Sequence, residues 1–302
     1  MEIKTINTFI SQLESMLAFM KNLAETKGVF QKNPENEEDR LREITELRIL
    51  CKSKDWPEAV DADFINQNSF EDKVNQASNI ISTLVTSDII DKKVLDFGTG
   101  SGYLPFVIAN LFFPQMAIGF DLKDNKWNDF EKMDCLKYTT NWQDVIDMGP
   151  YDVIILNDVI DHCENINFNK IKSIKSESGR VFVRCHPWCS RNGAHAYKDL
   201  NKAFIHLVFN EEELLKMGIK TQPVQKLFDP IQSYKKLFAD AGLSILRENI
   251  NKRDVEFFFI QNPTIQKRIK EKWMKSTNPE FANGDSFPKS LLEIESIDFT
   301  LM

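Results

Sequence analysis

The apolar positions near the N-terminus, Ile3, Ile6, Ile10, Leu13, Leu17, Met20 and Leu23, recur at close to helical spacing and predict an amphipathic helix. It should end before the polar run KNPENEED. Leu41, Ile44 and Leu47 predict a second helix. A third should start at Ser69, where Ser69 and Asp72 form a capping-box-like S-x-x-D ahead of Val74, Ala77, Ile81 and Leu84. From Lys93 the pattern changes to short apolar runs separated by helical stretches: VLDF, AIGF, VIIL at 153–156 and RVFVRC at 180–185. That alternation predicts a parallel sheet with crossover helices. Downstream, YKKLFADAGLSILRENI reads as a helix ended by Gly242 and followed by a strand, and VEFFFIQ at 255–261 as another strand. A hairpin of these two strands would close the sheet with an antiparallel final strand. The remainder, from Pro263, reads as a helix plus an edge segment. The expected organisation is an N-terminal helical cap over 1–68, an α/β core over 69–262 and a tail over 263–302 that packs on the core.

The densest chemical signal is the turn after the first strand, VLDFGTGSGYL at 94–104. Gly98, Gly100 and Gly102 give G-x-G-x-G, whereas a dinucleotide turn needs G-x-G-x-x-G and would place its last glycine where Tyr103 stands. Glycines let the backbone turn sharply and approach a ligand closely. Asp96 sits in the strand just before them, where a carboxylate suits a cationic ligand and opposes a pyrophosphate. A nicotinamide-type oxidoreductase is therefore disfavoured.

In these residues the sequence resembles the class I, Rossmann-like S-adenosylmethionine-dependent methyltransferases, whose first motif VLDFGTGSG matches. The resemblance implies a doubly wound, mostly parallel sheet, S-adenosylmethionine as cofactor and methyl transfer as the activity (EC 2.1.1). It implies that Asp96, Gly98, Thr99, Gly100 and Gly102 line the cofactor, and that Asp121, closing the second strand AIGFD with Leu122 after it, holds the ribose hydroxyls. FEKMDCLKY resembles the family's third strand, with Asp134 facing the adenine amino group and Cys135 offering its backbone N–H. YDVIILNDVIDHC at 151–163 resembles the fourth strand and its turn, placing Asn157 beside the cofactor and mapping Ile160, Asp161 and His162 onto an L-E-H signature of small-molecule methyltransferases. The matches span about residues 74–261.

A sulfonium donor already carries a good leaving group, so the protein must supply proximity and in-line orientation, with a base only where the acceptor loses a proton. His162, after the fourth strand, and His186, after the fifth, are the candidate catalytic residues. RCHPWCSRNGAHAY at 184–197 adds Trp188, Arg191, His195 and Tyr197, so 186–235 reads as a substrate-facing insertion. The cysteines and histidines there, Cys185, His186, Cys189 and His195, lack any C-x-x-C pair, and no metal is expected.

Composition narrows the acceptor. The net charge of −7 gives no general attraction to phosphate polymers, so a small molecule is the expected partner and nucleic acid a less supported one. The Pro-Pro-aromatic signature of base-amine methylation is absent after Asn157 and Asp158, and the Pro-Cys of cytosine C5 methylation is absent at Cys189. Arg184 stands where the Lys-Asp-Lys-Glu tetrad of RNA-capping enzymes would have lysine. A methyltransferase of RNA or another polymer stays as an alternative, as does a non-catalytic binding module on the same fold. The odd number of cysteines, five, and the lack of a long apolar run point to a cytoplasmic protein with no membrane partner.

Overall fold

The computed structural model describes residues 56–302 except 86, 126–129, 131, 164–165, 228, 256–261 and 275–288, together with a few positions between 41 and 52. The first expected helix lies outside the described residues. Of the second, Leu41 is helical and exposed, and Ile44 and Leu47 are outside the description. Residues 1–53 form one unit and residues 54–302 another. Among the described residues no helix is long and apolar enough to cross a membrane.

In chain order the second unit contains α1 (Ala62–Asn66), α2 (Phe70–Leu84), β1 (Lys93–Phe97), α3 (Tyr103–Leu111), β2 (Met116–Phe120), β3 (Leu136–Thr139), α4 (Trp142–Met148), β4 (Tyr151–Asn157), α5 (Phe168–Ser173) and β5 (Lys175–Cys185). It continues with α6 (Ile205–Val208), α7 (Glu211–Lys216), α8 (Pro230–Asp240), β6 (Ile245–Lys252), α9 (Pro263–Met274), α10 (Lys289–Leu292) and β7 (Ile294–Leu301). The capping box foreseen at Ser69 is present: Ser69 Oγ accepts from Asp72 N at 3.1 Å, and the Asp72 carboxylate accepts from Ser69 N at 3.0 Å. Two orphan donors of the first turn are thereby satisfied, which fixes where α2 begins.

The strands run β3-β2-β1-β4-β5-β7-β6 in the sheet. β3, β2, β1, β4 and β5 are mutually parallel, and β7 is antiparallel to both neighbours. Apolar runs without alternation are what a sheet covered on both faces requires, and the side chains divide accordingly. Leu95, Ile154 and Leu156 pack with Phe168, Ile171, Tyr234 and Phe238 on one face. Val94, Val153 and Ile155 pack with Ala77, Ile81, Val107 and Ile108 on the other. Full burial of one such aliphatic side chain is worth about 1.5–3 kcal/mol.

The tail departs from expectation. Pro263–Met274 is the helix, but the edge segment is an interior strand, β7, inserted between β5 and β6. The antiparallel partner of β6 is thus β7, and residues 256–261, expected to make that hairpin, lie outside the described residues. Arg184 of β5 lies opposite Asp298 of β7 and donates to it from Nε at 2.7 Å and Nη2 at 2.8 Å, with the two side chains 16% and 12% exposed. Removing one partner of such a pair strands the other charge. Asp298→Ala should therefore lower the unfolding free energy by about 3 kcal/mol in urea titrations, and a loss below 0.5 kcal/mol, typical of a surface pair, would contradict this reading.

Candidate functional site

The glycine turn joins β1 to α3 at the carboxyl end of the sheet. Gly98, Gly100 and Gly102 have φ of 78°, 53° and 80°, left-handed values that side chains with a Cβ adopt at a cost. Gly98 N and Thr99 N donate to Phe120 O at 2.8 and 2.9 Å, which ties the turn to the end of β2. Asp121 follows directly, and its carboxylate accepts from Gly100 N at 2.8 Å. Asn125 Nδ2 donates to Gly100 O at 2.9 Å and Tyr138 Oη to Gly102 O at 2.6 Å, supports that sequence reasoning missed because they come from the next crossover and strand. Leu122 beside Asp121 is 82% exposed. Asp96 is 3% exposed, and burial pushes its carboxyl up to about 7, with Thr99 opposing and Asp121 adding to the rise.

Asp134 and Cys135 do not join this group. β3 starts only at Leu136, and Cys135 O accepts from Ala117 N at 2.7 Å, so both residues lie at the start of β2 and β3, the far end from the glycine turn. Thr139 is the residue that β3 delivers beside Phe120, followed by Asn141, whose side chain caps α4. The strand end was placed five residues too early, at Asp134, whereas the ladder is closed by Tyr138 and Thr139.

A second cluster forms where β4 and β5 end, on the same side of the sheet. Asn157 closes β4, and its Nδ2 donates to Asp158 Oδ2 at 3.0 Å. Asp158 has φ of 54°, and its N donates to Arg184 O at 2.8 Å, which locks the start of the loop to β5. His186, one residue past β5, places Nδ1 2.5 Å from Asp158 Oδ1. His186 N donates to Asp161 Oδ2 at 3.2 Å. His162 Nδ1 lies 2.8 Å from Pro223 O, its Nε2 3.9 Å from Asp161 Oδ2, and its ring 4.7 Å from that of His195. The two sequence candidates, His162 and His186, are thus brought together around Asp161, with His195 of the same substrate-facing segment beside them and Asp158 as a further member.

Their electrostatics are coupled. Burial raises Asp161 to about 6, Asp158 adds to the rise and His162 opposes it. Burial also works to raise Asp158, but the charge and hydrogen bond of His186 outweigh it and hold Asp158 below the usual carboxylate range. For His186, burial pulls downward and the carboxylates of Asp158 and Asp161 prevail, so it is raised. His195 is pushed down to about 4 by burial, helped by His162 and His186.

The cysteines of the segment face elsewhere. Cys185 Sγ donates to Ile297 O at 3.7 Å and Cys189 Sγ to Leu291 O at 3.4 Å, so neither completes a thiolate site with the histidines. The rest of the insertion is bound to residues 56–60. Trp56, fully buried, donates from Nε1 to Ala203 O at 2.8 Å; Ala59 N and Val60 N both donate to Asn201 Oδ1 at 3.0 Å; and Arg191 Nε donates to Glu58 O at 2.8 Å. A cavity of about 430 Å³ opens within the insertion, lined by Trp188, Ala194, His206, Phe209, Gln222 and Ile269. Its lining includes neither the glycine turn nor the clustered histidines; Ala194 precedes His195 in the chain, and Gln222 and Val224 flank Pro223.

Residues 66–248 match the family model described as a methyltransferase domain. The chain belongs to that family. Its cofactor is S-adenosylmethionine, and the sheet order given above is the frame that carries it. No curated protein matches the methyltransferase significantly. Solved structures similar to it include an S-adenosylmethionine-dependent methyltransferase from Mesorhizobium loti, 10% identical with a TM-score of 0.43, covering 75% of this chain and 95% of the other. A methyltransferase from Archaeoglobus fulgidus is 12% identical, with a TM-score of 0.43 and coverage of 80% and 99%. The magnesium protoporphyrin IX methyltransferase of Synechocystis PCC 6803, solved with bound SAH, is 15% identical, with a TM-score of 0.41 and coverage of 78% and 87%.

Proposed function

We propose that this methyltransferase moves the methyl group of S-adenosylmethionine to an oxygen or nitrogen of a small-molecule acceptor, with the acceptor held at the ends of β4 and β5. The observation that carries this reading is the hydrogen-bonded pair of Asp158 and His186 on the same side of the sheet as the glycine turn. Asp96 serves the cationic methionyl end, the turn at Gly98, Thr99, Gly100 and Gly102 approaches the ligand with bare backbone, and Asp121, with Leu122 and Asn157 flanking, takes the ribose. S-Adenosylmethionine supplies an electrophilic methyl on a positively charged sulfur. His186, oriented through Nδ1 by Asp158, keeps Nε2 for the proton that the acceptor sheds as its new bond to carbon forms. His162 lines the same cluster.

A small acceptor is favoured over a polymer by the use made of the basic residues. Arg184 is engaged by Asp298 and Arg191 by Glu58, inside the fold, and Lys267 pairs with Glu271 on its own helix. Residues 56–68 and 186–235 serve as the enclosure, and the odd number of cysteines, five, suits a cytoplasmic setting.

The test is methyl transfer from labelled cofactor to metabolite and RNA fractions. Label should enter a low-molecular-weight fraction, and His186→Ala should slow it by about 10²–10⁴-fold. Label confined to RNA would overturn the acceptor class. Asp121→Ala should weaken cofactor binding about tenfold or more, since a carboxylate hydrogen bond is worth about 1.5–3 kcal/mol. Calorimetric titration with S-adenosylmethionine reads this directly, and unchanged affinity would remove Asp121 from the site.

A further inference from the structure

We infer that Asp161, His162 and His195 form a binding site for a divalent transition-metal ion, a function separate from the cofactor turn. Asp161 is fully buried, and its Oδ1 has no hydrogen-bond partner among the described residues. His195 Nε2 is likewise buried without a partner among the described residues. The Pro223 carbonyl can only accept, so His162 Nδ1 carries the proton and Nε2 keeps its lone pair, 3.9 Å from the Asp161 carboxylate. One ligand atom from each of the three residues lies within 4.8 Å of the others.

An unpartnered carboxylate oxygen in the interior is costly. Here an unpartnered carboxylate oxygen, the lone pair of His162 Nε2 and the unpartnered Nε2 of His195 converge, and the described residues leave both buried atoms unsatisfied. A single water can donate only two hydrogen bonds, whereas one cation satisfies all three. Two imidazoles and one carboxylate suit zinc, cobalt, iron or manganese, while calcium and magnesium prefer all-oxygen sets. Metal–ligand bonds of about 2.0–2.2 Å set tetrahedral ligand atoms about 3.4 Å apart, so the rings need to swing inward by roughly 1 Å.

The supporting contacts are those a metal site uses. His162 is oriented by the Pro223 carbonyl, and the second oxygen of Asp161 is held by the backbone N–H of His186. Asp158 and His186 extend the set, since Asp158, Asp161 and His186 also bring one ligand atom each within 4.8 Å. The short bond between Asp158 and His186 gives these two to each other, which leaves Asp161, His162 and His195 as the primary ligands.

The test uses the full-length protein stripped with a chelator. Zn²⁺ is titrated by calorimetry, and Co²⁺ by visible absorption. Expected are one equivalent of saturable binding and a Co²⁺ spectrum of nitrogen and oxygen ligation without thiolate charge-transfer absorption. His162→Gln and His195→Gln should each weaken binding by about 10–100-fold or more, with folding checked by circular dichroism. Absence of saturable binding by the parent protein overturns the inference, as does a thiolate spectrum, which would point to the cysteines. Equal affinity in folded His162→Gln and His195→Gln variants also overturns it. If both variants fail to fold, the parent spectrum decides alone. S-Adenosylmethionine binding by the metal-free protein is measured in parallel, so failure here leaves the methyl-transfer reading untouched.

Discussion

Asp96→Asn should weaken S-adenosylmethionine binding by about 10–100-fold, the value of a charge-assisted hydrogen bond, and at the same time raise the stability of the cofactor-free protein at pH 8. The reason is the cost of keeping Asp96 at 3% exposure, which lifts its carboxyl from 3.8 to about 7. A folded value above the unfolded one means that the native state binds the proton more tightly. Native stability is therefore fully present below pH 3.8 as far as this group is concerned, and falls as pH rises toward 7. Above that the whole penalty applies, an upper bound of about 4 kcal/mol at 1.36 kcal/mol per unit. Asparagine carries no charge and escapes it. The difference in melting temperature between variant and parent should accordingly be large at pH 8 and vanish near pH 4. A cationic ligand reverses the balance by favouring the carboxylate. The parent's affinity should drop about tenfold per pH unit below 7, and binding near pH 6 should release a proton. Calorimetry in buffers of different ionisation enthalpy counts that proton. Equal pH dependence in parent and variant would refute the assignment.

Gly193→Ala should be the most damaging substitution in the 186–235 insertion. A Cβ at residue 193 would stand 2.2 Å from Trp188 O and 2.6 Å from Trp188 C. These are backbone atoms, so no side-chain rotation relieves the clash. The loop is closed tightly there, with Gly193 N donating to Ser190 O at 3.1 Å and His195 N to Asn192 O at 2.7 Å. A forced shift of the Trp188 peptide opens both turns and moves His195. The expected loss is about 3 kcal/mol or more, in the range of backbone-incompatible substitutions. That corresponds to roughly 6–12 °C in melting temperature for a unit of this size. Because Gly98 and Asp121 are held by Phe120 and Gly100, S-adenosylmethionine affinity should survive in the folded fraction. A melting temperature within 1 °C of the parent would show that the loop yields more easily than its contacts indicate.

Most of the frame was legible because its signals are local. The capping box at Ser69 announces α2 within four residues, and Gly242, at φ of 65°, ends α8 where the sequence says it should. The turn from Gly98 to Gly102 declares itself through glycine spacing and Asp96. The misreadings share a non-local cause. IESIDFTL carries Glu295, Ser296, Asp298 and Thr300, a composition that looks like an exposed edge. Asp298, Ser296 and Glu295 are accommodated by Arg184, Asn251 and Arg253, which arrive from parts of the chain far away in sequence. Asp134 was misplaced because the end of a short strand depends on which residue of the neighbouring strand it meets. The sequence groups His186 with His195 in one segment but leaves His162 on another loop. His162 and His195 meet only when the loops after β4 and β5 fold over the same end of the sheet.

The position of β7 also bears on how the protein is made. Arg184 leaves the ribosome 114 residues before Asp298, an interval of roughly 6–23 s at about 5–20 residues per second. Throughout that interval β5 is an open edge whose guanidinium lacks its Asp298 carboxylate. Such an edge is a template for pairing with another nascent chain. Sheet closure must therefore wait for β7 to emerge, and the yield of native protein depends on how well β5 is shielded until then.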